Sequence, residues 1–300
     1  MNFRKPTILL TGSTGLLGGH LITRLIGQYN VTTIGRHAPP AGISAGARFK
    51  SIDFVNQDAI RQFLVQNSFD VIVNCAALAD VDLCETEREL ALTVNVEAVG
   101  TMARHSKENG TLLIQISTDY IFDGASGPYS EDDAPNPVNY YGRTKLMAEE
   151  TIGKSGCEHI IVRTNHLYGN GENGPSKQIR WLLDVGNRND KVLAADDLLS
   201  NPTWAGNLAD GIALLASTKF RGIINIGGCD YLSRYDFALL TADIMRLDRN
   251  MIQRASYRDL GMTATRPPMA GLKIDRMKTL LKLKPVGIEE GLKKVRAGTR

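Results

Sequence analysis

Short apolar runs alternate with amphipathic stretches along the first half of the chain. The apolar runs predict β-strands at residues 7–11, 31–34, 71–75, 112–117 and 159–164. Between them, apolar residues recur at helical spacing near residues 16–28, 58–66, 88–109 and 141–152. Strands that are apolar on both faces and alternate with helices indicate a parallel sheet covered on both sides. The pattern therefore predicts an α/β fold with a doubly wound parallel sheet, whose ligands bind beyond the carboxyl ends of the strands.

This rhythm breaks after residue 164. Residues 169–177 and 196–203 are rich in loop-forming residues, whereas 204–217 has the pattern of a helix and 223–227 that of one further strand. From residue 231 onward the pattern indicates helices joined by loops. We therefore expect a smaller C-terminal lobe that is interleaved with the sheet domain.

Composition and charge narrow the classes of function. The chain has 300 residues and a formal net charge of +3, which is too small to indicate a nucleic-acid-binding protein. Its cysteines and histidines stand apart from one another, without the spacing of a metal site or a disulfide framework, so we expect reduced thiols and no bound metal. Residues 1–6 leave no room for a signal peptide, and no run approaches the roughly 18–20 apolar residues of a membrane helix. We expect a cytoplasmic protein without nucleic-acid or membrane partners.

A glycine-rich turn lies between the first predicted strand and the first predicted helix. Gly12, Gly15 and Gly18 are spaced so that the backbone can turn tightly and a pyrophosphate can approach main-chain N–H groups at the helix start. The turn identifies residues 1–165, with 204–228 returning to it, as a dinucleotide-binding Rossmann domain. Residues 166–203 and 229–300 then form the substrate-binding lobe.

The end of the second predicted strand bears on the choice of dinucleotide. NAD binders usually place a carboxylate there for the ribose 2′-hydroxyl, whereas Arg36 follows Gly35 in this chain. A guanidinium suits a 2′-phosphate, so NADP(H) is favoured and NAD(H) stays open. A further strand-like region is found at residues 49–54, and its Asp53 either accepts a hydrogen bond from the adenine amino group or caps the next helix.

A tyrosine and a lysine four residues apart carry the strongest chemical signal. Tyr141 and Lys145 share one face of a predicted helix. An ammonium beside a phenol stabilises the phenolate, which predicts a Tyr141 pKa lowered from about 10 toward neutral pH. Such a tyrosine donates a proton to a carbonyl oxygen while hydride reaches the carbon. A hydroxyl at the end of the fourth main strand, from Ser117 or Thr118, can hydrogen-bond the same oxygen.

Taken in order, the motifs of the chain resemble those of the extended short-chain dehydrogenases/reductases, and most closely the dTDP-4-dehydrorhamnose reductase-like family. The motifs are Gly12-x-x-Gly15-x-x-Gly18, Asn74-Cys75-Ala76-Ala77, Asn95-Val96 with Gly100-Thr101, residues 117–124, and Tyr141-Gly142-Arg143-Thr144-Lys145. The resemblance continues through Arg163-Thr164, Leu167-Tyr168-Gly169, Asn201-Pro202-Thr203, Tyr235-Asp236-Phe237 and Arg266-Pro267, so that it covers nearly the whole chain.

The resemblance implies a set of site residues. Thr118, Tyr141 and Lys145 would form the catalytic triad, and the substrate would be contacted by Thr118, Asp119, His166 and Arg266. The full set of predicted cofactor contacts includes the glycine-rich turn and Arg36. It comprises Gly12, Gly15, Leu16, Leu17, Gly18, Arg36, Asp53, Phe54, Cys75, Ala76, Ala77, Asn95, Tyr141 and Lys145. The implied reaction is the NADPH-dependent reduction of the 4-keto group of a nucleotide-linked deoxysugar. In the family, this reaction converts dTDP-4-dehydrorhamnose to dTDP-L-rhamnose. The implied partner is this small molecule, and a homodimer stays open.

Two departures from the family pattern leave the sugar open. The family usually reads Arg-Thr-Ser-Trp-Val-Tyr where residues 163–168 read Arg-Thr-Asn-His-Leu-Tyr, and the missing tryptophan faces the substrate in the family. His166 either contacts substrate or fills the junction between the lobes. In addition, Pro268, Met269 and Ala270 follow Arg266-Pro267, where relatives often carry an Asn-Ser pair.

Two other functions remain open at this stage. The regulatory β subunit of methionine adenosyltransferase resembles the same family and binds NADP without a well-defined reductase role. A sugar-nucleotide dehydratase or epimerase would keep the fold; dehydratases of the superfamily typically show Thr-Asp-Glu, whereas Tyr120 follows Thr118-Asp119 here. Arg36 speaks against an epimerase, which would hold NAD throughout its cycle.

Overall fold

A single parallel sheet organises the larger part of the protein. The computed structural model describes residues 4–171, 174–188 and 190–298; the remaining positions of the predicted ranges 1–165, 166–203 and 229–300 lie outside the described residues. Within these, the sheet has seven strands: Thr7–Thr11 (β1), Asn30–Gly35 (β2), Arg48–Ser51 (β3), Val71–Asn74 (β4), Leu112–Thr118 (β5), His159–Thr164 (β6) and Gly222–Asn225 (β7).

Twelve α-helices accompany the sheet within the described residues. In chain order they are Leu16–Leu25 (α1), Ala41–Ser44 (α2), Gln57–Gln66 (α3), Val81–Thr86 (α4), Arg88–Leu92 (α5), Ala98–Asn109 (α6), Tyr140–Ser155 (α7), Lys177–Arg188 (α8), Ala205–Leu215 (α9), Arg234–Met245 (α10), Asp275–Leu280 (α11) and Ile288–Gly298 (α12). The predicted helix 88–109 is thus divided into α5 and α6, which a π-helical turn at Thr93–Glu97 joins.

The strand order across the sheet is β7-β6-β5-β4-β1-β2-β3, and all neighbouring pairs are parallel. The predicted doubly wound α/β fold is therefore confirmed. The order reverses between β1 and β4, which leaves a crevice at their carboxyl ends where such folds bind ligands. In register, Thr11 of β1 lies opposite Asn74 of β4.

Apolar side chains cover both faces of the sheet. On one face α1 and α9 pack against β1, β4 and β6 through buried residues such as Leu21, Ile22 and Ile212. On the other face α3, α6 and α7 pack through residues such as Leu64 and Met102. Because both layers exclude water from β1, β4, β5 and β6, the ligand-binding edge rests on a close-packed support, whereas the residues of the edge strand β3 are exposed.

The C-terminal segments pack around cores of their own. Strand Val192–Ala195 pairs in parallel with Ile252–Ala255, and both pack with α8 and α10. A further cluster joins Tyr168 and Phe237 to α8 and α12. Strand β7 is an edge strand of the sheet, and helix α9 packs on one of its faces. Helix α11 also packs against the sheet, because Ile274 and Met277 are buried in the same cluster as β1. The division into two lobes at the predicted residues stays a prediction. Within the described part of the chain, no helix combines the length and apolar character required to span a membrane.

Candidate active site

The glycine-rich turn closes tightly around the carboxyl end of β1. Gly12 has a φ of +65°, and a Cβ added to it would lie 2.8 Å from the carbonyl carbon of Cys75. A Cβ on Gly18 would collide with the carbonyl oxygen of Gly12. Helix α1 begins after Gly15, and no side chain of the described residues caps it. Its first N–H groups are therefore available to an anionic ligand, as the sequence motif predicted.

Thr11 joins this turn to the neighbouring strand. Its hydroxyl donates to Asn74 Oδ1 over 2.5 Å and accepts from the backbone N–H groups of Cys75 and Ala76, each over 3.1 Å. The segment after β4 is thereby held against Gly12. The close approach of the two backbones explains why glycine is required at position 12.

Replacing Gly18 with Ala should weaken NADPH binding by roughly 10-fold or more, since forcing an extra carbon into a packed site costs about 1–3 kcal/mol. Gly27→Ala is the matched control, because a Cβ at Gly27 meets no atom within 4 Å. Fluorescence titration with NADPH measures both affinities. Equal affinities for the two variants would contradict the role of the turn in binding.

The three residues of the predicted triad line one cavity of about 570 Å³. Thr118 is the last residue of β5, and Tyr141 and Lys145 project from the same face of α7. Lys145 is buried, and its Nζ donates to the carbonyl oxygen of Ile116 over 2.7 Å. The ring of Tyr120 meets that of Tyr141 edge-on, with centroids 6.1 Å apart. The cavity therefore contains a phenol, an ammonium group and a strand-end hydroxyl together.

Local contacts hold the first turn of α7 in place. Asn139 caps it by accepting from the N–H of Gly142 over 2.8 Å, and the amide of Asn139 also donates to the carbonyl of Thr265 in the C-terminal part of the chain. A Cβ on Gly142 would collide with the carbonyl oxygen of Tyr120. The glycine beside Tyr141 thus allows α7 to approach the loop after β5 closely.

One turn after Lys145, helix α7 contributes Glu149 to a buried ion pair with Arg163 of β6. Glu149 and Arg163 are 5% and 3% exposed, and Arg163 Nη2 donates to Glu149 Oε2 over 2.7 Å. Glu149 Oε1 also accepts from the Ser117 hydroxyl over 2.5 Å. The carboxylate therefore connects α7 to β6 through Arg163 and to β5 through Ser117, the residue before Thr118.

The electrostatics of Tyr141 differ from the prediction. Burial raises the pKa of Tyr141, and the hydrogen bond with Thr118 offsets that rise only in part. The predicted lowering by Lys145 is wrong for this structure, because the Lys145 ammonium is hydrogen-bonded to Ile116 and its own pKa is lowered to about 8 by burial. The phenol is therefore protonated at neutral pH, which is the form that can donate a proton.

Asp119 is a second acid in the cavity. Burial raises the pKa of Asp119 to about 7. Its Oδ1 accepts from Thr118 over 3.3 Å and its Oδ2 from the N–H of Gly271 over 3.1 Å. The carboxyl thus connects β5 to the loop that precedes α11.

Most of the predicted contact residues line this cavity. They are Gly12, Gly15, Leu16, Leu17, Gly18, Cys75, Ala76, Ala77, Thr118, Asp119, Tyr141, Lys145 and His166. Three others lie beyond its edge. Arg36 and Asp53 are exposed at neighbouring strand ends, where Ser51 donates to the carbonyl of Arg36, and Phe54 is buried beside them.

The structure corrects two of the predicted contacts. Asn95 is buried, and its side chain is used by the backbone of Leu78 and by the hydroxyl of Thr144, so it supports the cavity wall rather than a ligand. Arg266 forms an ion pair with Asp82 over 2.9 Å and donates to the carbonyl of Ala264. Neither side chain lines the cavity. Both side chains are hydrogen-bonded to protein partners outside the cavity.

Several residues that line the cavity were not predicted from the sequence. They include Tyr120, Asn165, Ser176, Lys177, Leu198, Leu199, Ser200, Arg234, Pro267 and Ala270. Arg234 directly precedes the quoted motif Tyr235-Asp236-Phe237, but nothing in its local sequence points to a site more than 90 residues away from Tyr141. His166, whose role the sequence left open, lines the same cavity as Arg234.

Comparison with known proteins agrees with the resemblance found in the sequence. A family model described as "RmlD substrate binding domain" matches residues 6–299. The dTDP-4-dehydrorhamnose reductase of Streptomyces griseus is 36% identical over 263 residues, covering 82% of this chain and 80% of that protein. The methionine adenosyltransferase 2 subunit beta of Bos taurus is 29% identical over 289 residues, covering 93% and 84%.

A solved structure agrees in its fold over the whole length. The dTDP-4-dehydrorhamnose reductase (rfbD) from Bacillus anthracis str. Ames, in complex with NADP, superposes with a TM-score of 0.83 at 25% identity, covering 99% of this chain and 100% of that one. Family match, sequence identity and topology coincide, and the chain belongs to the RmlD substrate-binding domain family, which includes extended short-chain dehydrogenases/reductases as the motifs indicated.

Proposed function

We propose that this protein reduces the 4-keto group of a nucleotide-linked deoxysugar with NADPH, and that its substrate is dTDP-4-dehydrorhamnose. The observation that carries the proposal is the shared cavity: Thr118, Tyr141 and Lys145 lie beside the glycine-rich turn rather than on separate surfaces. The family membership and the dTDP-4-dehydrorhamnose reductase relatives support the same reaction class.

The residues of the cavity fit a dinucleotide. The turn at Gly12 and Gly18 leaves room that a Cβ would fill, and the uncapped start of α1 offers N–H groups to the pyrophosphate. Ala76 and Ala77 would follow the adenosine and ribose, with Asp53 and Phe54 at the outer end. When bound, NADPH supplies the hydride that reduces the carbonyl carbon.

The protein's own groups would handle the proton and the charge. Tyr141, protonated at neutral pH, donates its phenolic proton to the carbonyl oxygen as negative charge develops there. The Thr118 hydroxyl hydrogen-bonds the same oxygen. Lys145 Nζ donates to the carbonyl oxygen of Ile116 in the same cavity, so in this structure it holds the end of β5 rather than lowering the pKa of the phenol.

A dehydratase would require a second acid-base residue, and the cavity supplies little support for one. Among its lining residues within the described chain, Asp119 alone bears a carboxyl group. Position 120 is a tyrosine whose hydroxyl accepts from Arg234 over 2.9 Å. This arrangement favours a net reduction.

A non-catalytic cofactor-binding subunit is the second candidate, because the subunit beta relatives align with 93% of the chain. A steady-state assay of NADPH oxidation across 4-keto sugar nucleotides separates the two functions. Sustained oxidation with dTDP-4-dehydrorhamnose supports the reductase. NADPH binding without turnover on any member of the panel would refute it and favour the subunit.

Replacing Arg36 with Ala should weaken NADPH roughly 10- to 100-fold and leave NADH nearly unchanged, because a guanidinium contributes charge-assisted hydrogen bonds to a 2′-phosphate. Arg48→Ala is the control, since Arg48 begins β3 and therefore lies away from the carboxyl edge of the sheet. Titration of each variant with both cofactors gives the affinities. An equal loss for NADPH and NADH would place Arg36 away from the ribose.

A further inference from the structure

The substrate end of the cavity carries a positive charge that the proposed reaction does not use. Within the described residues, its lining has three cationic side chains, Lys145, Lys177 and Arg234. Lys145 is hydrogen-bonded to the carbonyl oxygen of Ile116, and Lys177 is 95% exposed and lies 3.8 Å from Asp80. The glycine-rich turn and Arg36 are assigned to the phosphates of the cofactor. Arg234 is therefore left for a different ligand.

Arg234 is held close to the reacting groups. It is the first residue of α10, which Ser233 caps by accepting from the N–H of Asp236 over 3.0 Å. Its Nη2 donates to the hydroxyl of Tyr120, whose ring in turn packs against that of Tyr141. One hydrogen bond and one edge-on aromatic contact thus connect the guanidinium to the proposed proton donor.

Among the described residues, Arg234 has no ion-pair partner in direct contact, although its charge acts on the buried Asp119 carboxyl of the same cavity and favours the ionised form of that group. No carboxylate lies within 4.0 Å of its guanidinium among the described residues, whereas the buried Arg163 and Arg266 each have one. Apart from the bond to Tyr120, the donors of its side chain have no partner in the described part of the chain. A half-buried guanidinium with free donors is suited to bind a phosphate or carboxylate through paired hydrogen bonds.

His166 supplies a neighbouring acceptor. Its Nε2 is hydrogen-bonded to the side-chain carbonyl oxygen of Gln178, so Nε2 carries the proton and Nδ1 is an acceptor. Nδ1 is buried without a partner in the described residues, and the ring packs on Phe237 with centroids 5.1 Å apart. Burial and the charge of Arg234 lower the pKa of His166 to about 3, so the ring stays neutral. A ligand hydroxyl would satisfy this buried acceptor.

We propose that Arg234 binds an anionic group of the nucleotide-sugar substrate, while His166 Nδ1 accepts a hydrogen bond from a hydroxyl of the same ligand. The inference rests on the proposed function in assigning the other end of the cavity to NADPH. Two groups share the required chemistry: the diphosphate that joins nucleoside and sugar, and a carboxylate carried by the sugar itself.

The test measures equilibrium binding rather than turnover, so that it stands apart from the reductase assay. Isothermal titration of the NADP-saturated protein with dTDP, UDP-glucose and UDP-glucuronic acid gives three affinities. Arg234→Gln should weaken the anion-dependent affinities roughly 10- to 100-fold, the scale of hydrogen bonds to a charged group. If the anion is the diphosphate, all three probes lose affinity. If it is a sugar carboxylate, only UDP-glucuronic acid does.

Two variants make the result interpretable. Arg249→Gln removes the same charge from the surface, where Arg249 pairs with Asp243, and should leave all affinities unchanged. Arg234→Lys keeps the charge and should retain part of the affinity, which would not be the case if the helix start were merely disturbed. Unchanged affinities in Arg234→Gln, an equal loss in Arg249→Gln, or no binding of any probe to the unaltered protein would overturn the proposal. An inactive protein that shows the expected loss would refute the reductase and leave the anion site standing.

Discussion

Replacing Tyr141 with Phe should reduce the rate of NADPH-dependent keto-sugar reduction about 100-fold or more, the scale expected when a general acid is lost. The phenol is the proposed proton donor and lines the same cavity as Thr118, and Phe cannot supply that proton. The affinity for NADPH should stay nearly the same, because the glycine-rich turn is untouched. Initial rates at saturating substrate, together with cofactor titrations, measure the two effects separately.

Tyr140→Phe is the matched control for this prediction. Tyr140 also belongs to the first turn of α7, but it does not line the cavity, and the guanidinium of Arg88 lies 4.9 Å from the centre of its ring. Both variants lose one hydroxyl from the same helix turn. The general-acid role of Tyr141 would be refuted if its variant kept normal turnover, or if both variants lost activity equally.

Replacing Glu149 with Leu should lower the free energy of unfolding by about 3–5 kcal/mol, the cost of leaving one member of a buried ion pair without its partner. Arg163 is only 3% exposed, so water cannot replace the carboxylate. The Ser117 hydroxyl loses its acceptor in the same change. Urea unfolding followed by circular dichroism measures the difference.

Glu150→Leu provides the comparison for this stability prediction. Glu150 is the next residue of α7, but it is 53% exposed and lies 3.6 Å from Lys154, so the loss should be at most about 1 kcal/mol. The double variant Glu149→Leu with Arg163→Leu should regain much of the loss, because no charge is then buried alone. Similar losses for the Glu149 and Glu150 variants would show that the buried pair contributes no more than a surface pair.

Periodicity and turn residues were sufficient to predict the sheet. The strands predicted at 7–11 and 159–164 have the same bounds in the structure as β1 and β6, because a strand buried on both faces shows as an uninterrupted apolar run. The predicted helix 88–109 is divided by a π-helical turn around Asn95. A pattern of apolar spacing cannot show this division, since it depends on the partners that Asn95 finds in Leu78 and Thr144.

The sequence motifs also brought together the right chemistry, because each lies at the carboxyl end of a strand or the start of a helix, and parallel strands place those ends at one edge. This holds for the glycine-rich turn after β1, for Thr118 at the end of β5, and for Tyr141 with Lys145 on α7. Arg234 also begins a helix, but the strand before it, Leu232–Ser233, lies outside the seven-stranded sheet, so sheet topology does not predict its place in the cavity.

Neighbouring residue types were enough to propose a proton donor, a cation beside it and a cradle for phosphates, because helix and strand spacing alone decide which of these side chains share a face. The protonation state of Tyr141, the pairing of Arg266 with Asp82, and the bond of Arg234 to Tyr120 depend instead on burial and on contacts between distant segments. Desolvation and long-range hydrogen bonding arise only when the chain is folded. Local spacing therefore predicted the wrong direction for the pKa of Tyr141 and could not predict the partners of the two arginines.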